Sequence, residues 1–309
     1  MRTDVFLFGV LPSSSGGRQP LSPRAWTGVG ALAIPLWATW PALGVRAAEM
    51  PAFQVLAIAF PVGWLTLLLV ERLSGAEVSE TEAAAGGQGR AWGLPVLACA
   101  LGLCGNNAFF ILATRHMPPA QANLISYLWP VMVVALGGAL RLFRLRLRHV
   151  IGLVLGFGGA AVVMGDGPLS PTPAGVGLAL LAGASWALYC VYRLWQGAAV
   201  TNVLARGCAV SAVLCAGLHF LFEPTIMPSL GALSAAVAVG VAPLGLGNLA
   251  WDQGFRHGDS QLLAVMAYGT PVLGALLLIG MGLASPTLSL LIGAAMIVGA
   301  GLLSRSERP

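Results

Sequence analysis

Lysine is absent from the 309 residues, and charged residues of every kind make up only 9% of them. A soluble domain carries about 25%. So few charges cannot coat a water-facing surface, which excludes a soluble enzyme of this size. Hydrophobic residues make up 57% and mean hydropathy is +0.84, which excludes intrinsic disorder. Alternating ten-residue strands are also missing, which excludes an outer-membrane barrel. The five cysteines (Cys99, Cys104, Cys190, Cys208 and Cys215) form no CxxC pair and lie in apolar stretches. They are expected as small packing residues, not as a disulfide framework or a metal site. No Walker A loop, HExxH or GxSxG motif occurs, so ATP-driven pumping, metalloprotease and serine-hydrolase chemistry have no support. No catalytic residue, metal or cofactor is expected.

What is present is a series of long apolar runs. A bilayer core of about 30 Å needs roughly 20 apolar residues per helix. Ten segments qualify: 26–45, 51–70, 92–114, 119–140, 149–165, 174–192, 203–222, 230–251, 260–283 and 286–303. Within them the only charged residue is Arg206. The expected class is an all-α polytopic membrane protein of ten helices. With the N-terminus in the cytoplasm, 14 of the 16 arginines fall inside and only Arg46 and Arg115 outside, so both termini are placed inside. The cluster 141-RLFRLRLRH-149 then forms a cytoplasmic turn. The net charge of +5 is read as this topological signal and not as a nucleic-acid footprint. Residues 1–25 are expected as a cytoplasmic tail, 304–309 as another, and the Gly/Ala/Glu-rich stretch 71–90 as a loop.

The chain also matches itself. A shift of 141 residues aligns Asn107 with Asn248, Arg115-His116 with Arg256-His257, Tyr127 with Tyr268 and Pro130 with Pro271. A shift of 149 aligns 37-WATW-40 with 186-WALY-189. Two five-helix repeats follow, 26–165 and 166–303. Five is odd, so the second enters the membrane from the opposite side. Inverted repeats around a midplane site are the architecture of secondary transporters.

Aromatic residues at span centres point the same way. Trp37, Trp40, Trp64, Trp129, Trp186, Tyr127, Tyr189 and Tyr268 lie far from the interfacial belts where Trp and Tyr usually gather. Their N–H and O–H groups need partners that lipid cannot supply, so they are expected to face the bundle or a wet cavity. Asn123, Tyr127 and Pro130 fall on one helical face, and Trp251 follows Asn248 by three residues on another. Amides and phenols both donate and accept, so Asn107, Asn123 and Asn248 are candidates for polar contacts to a substrate, or for plain helix–helix glue. Pro130 and Pro271 are candidate hinges, since a mid-helix proline frees the carbonyl four residues back. Asp252 and Asp259 flank the end of the eighth span. Asp252 is the candidate for coupling, against a reading as a solvated loop-end charge. His219 stands alone in the seventh span.

These features resemble the drug/metabolite transporter superfamily with its EamA-type repeat. Within it, 127-YLWP-130, 186-WALYC-190 and 250-AWDQGFRHGD-259 followed by 268-YGTPVL-273 look like the aromatic amino acid exporters. The resemblance covers about 26–303. It implies a basket of ten helices with a central cavity, in the bacterial inner membrane. It further implies alternating-access export of aromatic or bulky hydrophobic amino acids, with Trp37, Tyr127, Trp129, Trp186 and Trp251 on cavity positions. The alternative is a relative with another drug or metabolite as substrate. The stretch 102-GLCGNNAFF-110 departs from the family's third span, which has a Tyr-Glu pair there. The implied partners are a small molecule and the lipid bilayer, with no protein partner required.

Overall fold

The computed structural model describes residues 21–73, 93–164, 172–196 and 203–304. Most of the expected N-terminal tail, most of the loop 71–90, the C-terminal tail and Trp92 lie outside the described residues. The described chain is helical: α1 (Pro23–Ala31), α2 (Ala33–Ala38), α3 (Trp40–Ala47), α4 (Ala52–Leu73), α5 (Leu94–Thr114), α6 (Pro119–Ser126), α7 (Trp129–Ala139) and α8 (Leu147–Met164). Then come α9 (Pro173–Gln196), α10 (Val203–Phe222), α11 (Leu230–Val239), a π-helical segment Gly240–Gly247, α12 (Asn248–His257), α13 (Ser260–Met266), α14 (Gly269–Gly280) and α15 (Leu288–Ser304). Joined where they run on, these form nine helices among the described residues that are long and apolar enough to cross a membrane. The protein is an all-α polytopic membrane protein. Where the tenth span is expected, α15 is a shorter apolar helix of 17 residues, about 25 Å long at 1.5 Å per residue.

Proline decides where the long helices break. Pro35 and Pro41 remove the donors that would reach the Ala31 and Trp37 carbonyls. The first span responds with tightened turns: Leu32 N–H bonds Val29 O, and Thr39 N–H bonds Leu36 O. Pro130 leaves the Ser126 carbonyl without its usual donor, and the helix divides at Tyr127 and Leu128. Pro271 does the same after Met266. Pro243 lies in the π-helical segment of the eighth span.

Helix boundaries recur along the chain. Adding 141 to the bounds of α6, α7 and α8 gives 260–267, 270–280 and 288–305, beside the observed 260–266, 269–280 and 288–304. The turn after α7 recurs as well. Leu142 N–H reaches Gly137 O and Arg141 N–H reaches Gly138 O; Leu283 and Gly282 repeat this on Leu278 and Ile279. Both turns place a left-handed residue at the corresponding position, Arg141 with φ 57° and Gly282 with φ 72°. This is the Schellman way of ending a helix.

Small residues set how closely the helices approach, as is usual where lipid supplies no hydrophobic drive for association. α8 and α15 cross through Gly159 and Gly293. A Cβ on Gly159 would lie 2.7 Å from the Gly293 carbonyl oxygen, and one on Gly293 would lie 2.6 Å from that of Gly159. Gly159→Leu should therefore lower the melting temperature in detergent, since overpacking costs about 1–3 kcal/mol. Gly280→Ala, whose methyl meets nothing within 4 Å, should leave it within about 0.5 kcal/mol. Thermal unfolding followed by tryptophan fluorescence reads both.

Candidate substrate site

Four tryptophans from four spans close a ring in the larger buried core. Trp37 (α2) meets Trp186 (α9) at 5.8 Å between ring centroids and Trp251 (α12) at 5.1 Å. Trp129 (α7) meets the same two at 6.4 and 5.3 Å, with interplanar angles of 90° and 84°. Three of the four contacts are edge-to-face, the arrangement that the aromatic quadrupole favours. Phe255 stacks on Trp251 at 5.0 Å, and Tyr189 lies 5.2 Å from Trp186. Trp129, Trp186 and Trp251 are buried.

Local sequence explains the seating. Gly183 brings α9 against the Ser126 carbonyl that Pro130 frees; a Cβ there would be 2.6 Å from that oxygen. This sets Trp186 beside Trp129. Gly254 and Gly30 let α12 meet α1 backbone to backbone, and Gly247 makes room for the Trp37 ring. Gly102 in α5 accommodates Tyr189. Two of the indole donors are satisfied beside the ring: Trp37 Nε1–H donates to Asn248 Oδ1 at 3.0 Å, and Trp251 Nε1–H to Cys190 Sγ at 3.4 Å.

A charged cluster lies one turn along. Helical spacing puts Trp186, Tyr189, Cys190 and Arg193 on one face of α9, and Asn248, Trp251, Asp252 and Phe255 on one face of α12. Arg193 binds Asp252 through both arms, Nε to Oδ1 at 2.9 Å and Nη2 to Oδ2 at 3.0 Å. Tyr189 Oη donates to Oδ1 at 3.1 Å, and Arg256 Nε reaches Oδ2 at 3.2 Å. Arg193 is 3% exposed and Asp252 4%. This corrects the reading of Asp252 as a solvated loop-end charge. The spans drawn from hydropathy stop at 192 and 251, one residue short of each partner, so the sequence offered the two charges only as separate helix ends.

Other expected site residues lie elsewhere. Tyr127 and Tyr268 meet each other at 6.5 Å and pack in a second core cluster, with Phe157 6.3 Å from Tyr268. Tyr268 fills the gap that Gly156 leaves in α8. Asn123 Nδ2 reaches Met164 Sδ at 3.4 Å. Asn107 Nδ2 turns back on its own helix to Leu103 O at 2.8 Å, whereas Asn248 is bonded to Trp37. Trp40 packs partly buried against the core, and Trp64 is exposed. The five cysteines are free and buried, and Cys104 and Cys215 touch at 3.6 Å between sulfurs.

His219 is not alone. Its Nδ1 lies 3.2 Å from Glu223 and its Nε2 3.0 Å from Thr225 Oγ1. The Glu223 carboxylate also accepts from the N–H groups of Phe53 and Gln54, capping the first turn of α4. Sequence spacing carries no sign of this long-range cap.

Known proteins resemble this chain in sequence and fold. An aromatic amino acid exporter, YddG, of Ancylobacter novellus is 34% identical over 285 residues, covering 90% of this chain and 96% of the relative. Residues 25–165 match the EamA-like transporter family. The chain belongs to that family. A second YddG, of Escherichia coli, is 27% identical over 215 residues, 62% of this chain and 68% of the relative. A solved crystal structure of a protein 32% identical superposes with a TM-score of 0.83, covering 92% of this chain and 98% of the other. This EamA-family transporter thus shares its fold over nearly the whole described length.

The two symmetry-matched asparagines make a test. Asn248→Ala strands the Trp37 indole N–H and should cost about 1–3 kcal/mol, the penalty for a buried donor left without its partner. Asn107→Ala removes only a bond within its own helix and should cost less than about 1 kcal/mol. Thermal unfolding of both variants in the same detergent checks the difference.

Proposed function

We propose that this chain is a secondary transporter that exports aromatic and other bulky hydrophobic amino acids across the bacterial inner membrane by alternating access. The observation that carries this is the closed ring of Trp37, Trp129, Trp186 and Trp251. Each indole comes from a different span, and the ring couples spans of both halves of the chain. Edge-to-face contacts are exchangeable: an incoming aromatic side chain replaces one indole neighbour with another at little net cost. Aromatic pairs contribute about 0.5–1.5 kcal/mol beyond their buried area, so the selectivity is broad. The name of the Ancylobacter novellus relative supports the same substrate class.

In this reading the chain is two inverted five-helix repeats, 26–165 and 166–303, flanked by cytoplasmic tails at 1–25 and 304–309. The recurrence of helix bounds and turn hydrogen bonds at an offset of 141 supports it. Both termini are cytoplasmic, which places the Arg193–Asp252 cluster at the cytoplasmic end of the site. The breaks at Pro130 and Pro271 are hinges about which α6–α7 and α13–α14 rock, with Asn123, Tyr127 and Tyr268 lining the moving edge. Tyr268 Oη is buried with no hydrogen-bond partner among the described residues, so a polar substrate group gains a contact there without displacing one. Asn107 faces the same path from the third span.

Transport by the protein in liposomes tests this. Trp186→Ala and Trp251→Ala should each abolish phenylalanine counterflow, and Tyr127→Ala should reduce it severalfold or more. Trp64→Ala, an exposed indole outside the ring, should retain it. Full counterflow in both ring variants would defeat the assignment.

A further inference from the structure

The Arg193–Asp252 pair joins the two spans that contribute Trp186 and Trp251, and it lies one helical turn from those rings. It has the chemistry of an amino acid's charged end: a planar cation and a carboxylate in bidentate register. Both are almost completely buried. Opening this junction separates two charges in a poorly solvated place. Removing either charge's partner alone is strongly unfavourable, because it leaves an uncompensated buried ion. A molecule that brings both signs at once avoids that penalty.

We propose that the Arg193–Asp252 pair is the receptor for the α-amino and α-carboxyl groups of the substrate. This rests on the transport reading above and deepens it. The substrate carboxylate takes the Arg193 guanidinium, whose fork matches a carboxylate in two parallel hydrogen bonds. The substrate ammonium takes the Asp252 carboxylate, which Tyr189 Oη and Arg256 hold in place. The side chain then lies one turn away, on the indole ring. The exchange replaces one ion pair with two and leaves the charge of the site unchanged. A cation alone frees Arg193 and leaves it without its carboxylate; an anion alone takes Arg193 from Asp252, which then keeps only Arg256 and Tyr189. The pair therefore selects zwitterions, where the tryptophans select side chains.

The geometry accounts for a feature that stability does not require. A buried ion pair is often no more stabilising than apolar residues of the same volume. Three residues converge on one carboxylate here, on helices that leucines would hold equally well. Tyr189, which touches both Trp186 and Asp252, ties the side-chain end of the site to its charged end.

Three ligands separate the outcomes: phenylalanine, phenethylamine (no carboxylate) and 3-phenylpropionate (no ammonium). With the wild-type protein in liposomes, phenylalanine should compete against labelled phenylalanine on the order of 100-fold better than either half-molecule, as expected where an analogue leaves buried polar groups unpaired. Half-molecules that compete as well as phenylalanine would overturn the proposal, and this arm needs no variant. Arg193→Gln should then lose discrimination against phenethylamine, and Asp252→Asn against 3-phenylpropionate. The double exchange Arg193→Asp with Asp252→Arg keeps a buried pair and should keep the preference for the zwitterion. Discrimination unchanged in the single variants, or equal loss of competition by all three ligands, would mean that the pair only holds the helices together. Absence of any phenylalanine flux in the wild type would instead defeat the transport reading itself, and the proposal with it.

Discussion

A charge buried in a membrane-spanning bundle must find its opposite on another helix at the same depth, and Asp252 meets Arg193 on that condition. The pair sets the register between α9 and α12. Slide one helix by a turn and the carboxylate loses both of its partners on α9, Arg193 and Tyr189, at once. Because Trp186 and Trp251 stand at fixed helical intervals from these charges, the same register brings the indoles into contact through Trp37 and Trp129. The ion pair contributes little net stability by comparison with apolar packing. It contributes a unique alignment, which hydrophobic side chains facing lipid-like neighbours do not.

Glycine makes that alignment reachable. Each span that carries a ring tryptophan also makes a close contact in which a glycine admits its neighbour: Gly30 against Gly254, Gly247 against Trp37, and Gly183 against Ser126. Where the helices come this near, four large indoles are forced into one layer and their N–H groups need partners near it. Asn248 and Cys190 supply two of them. The site is thus built from a contrast of sizes, with the smallest residues outside the layer and the largest inside it.

Much of this was legible in the residues. Hydropathy located the spans, and prolines 130 and 271 located the interruptions to within three residues. Trp37, Trp129 and Trp186 stand out because midplane indoles need partners, and Trp251 because it shares a helical face with Asn248. Two things were hidden. A hydropathy window ends where a charge begins, so Arg193 and Asp252 were read as boundaries of separate spans when they are a compensated pair between them. Helical periodicity also assumes a continuous helix. The break at Tyr127 and Leu128 turns the chain, so Tyr127 pairs with Tyr268 while Trp129 joins the ring. The Glu223 cap on α4 depends on residues 170 apart and leaves no local trace.

The internal match fails at one informative place. The 141-residue shift carries Asn248 onto Asn107 and Arg256 onto Arg115, but it carries Asp252 onto Ile111. The 149-residue shift carries Trp186 onto Trp37 and Arg193 onto Gly44. Both members of the ion pair are therefore missing from the other half, while the pairs Trp37/Trp186 and Asn107/Asn248 are kept. At the opposite end of the bundle the junction is made differently. The Glu223 carboxylate there holds backbone N–H groups and His219, none of which is a permanent cation. In the proposed transport cycle, two ends sealed by different chemistry open under different conditions. One yields when hydrogen bonds to a helix terminus are exchanged for water. The other yields only when both charges find new partners, which makes entry at that end conditional on what is entering.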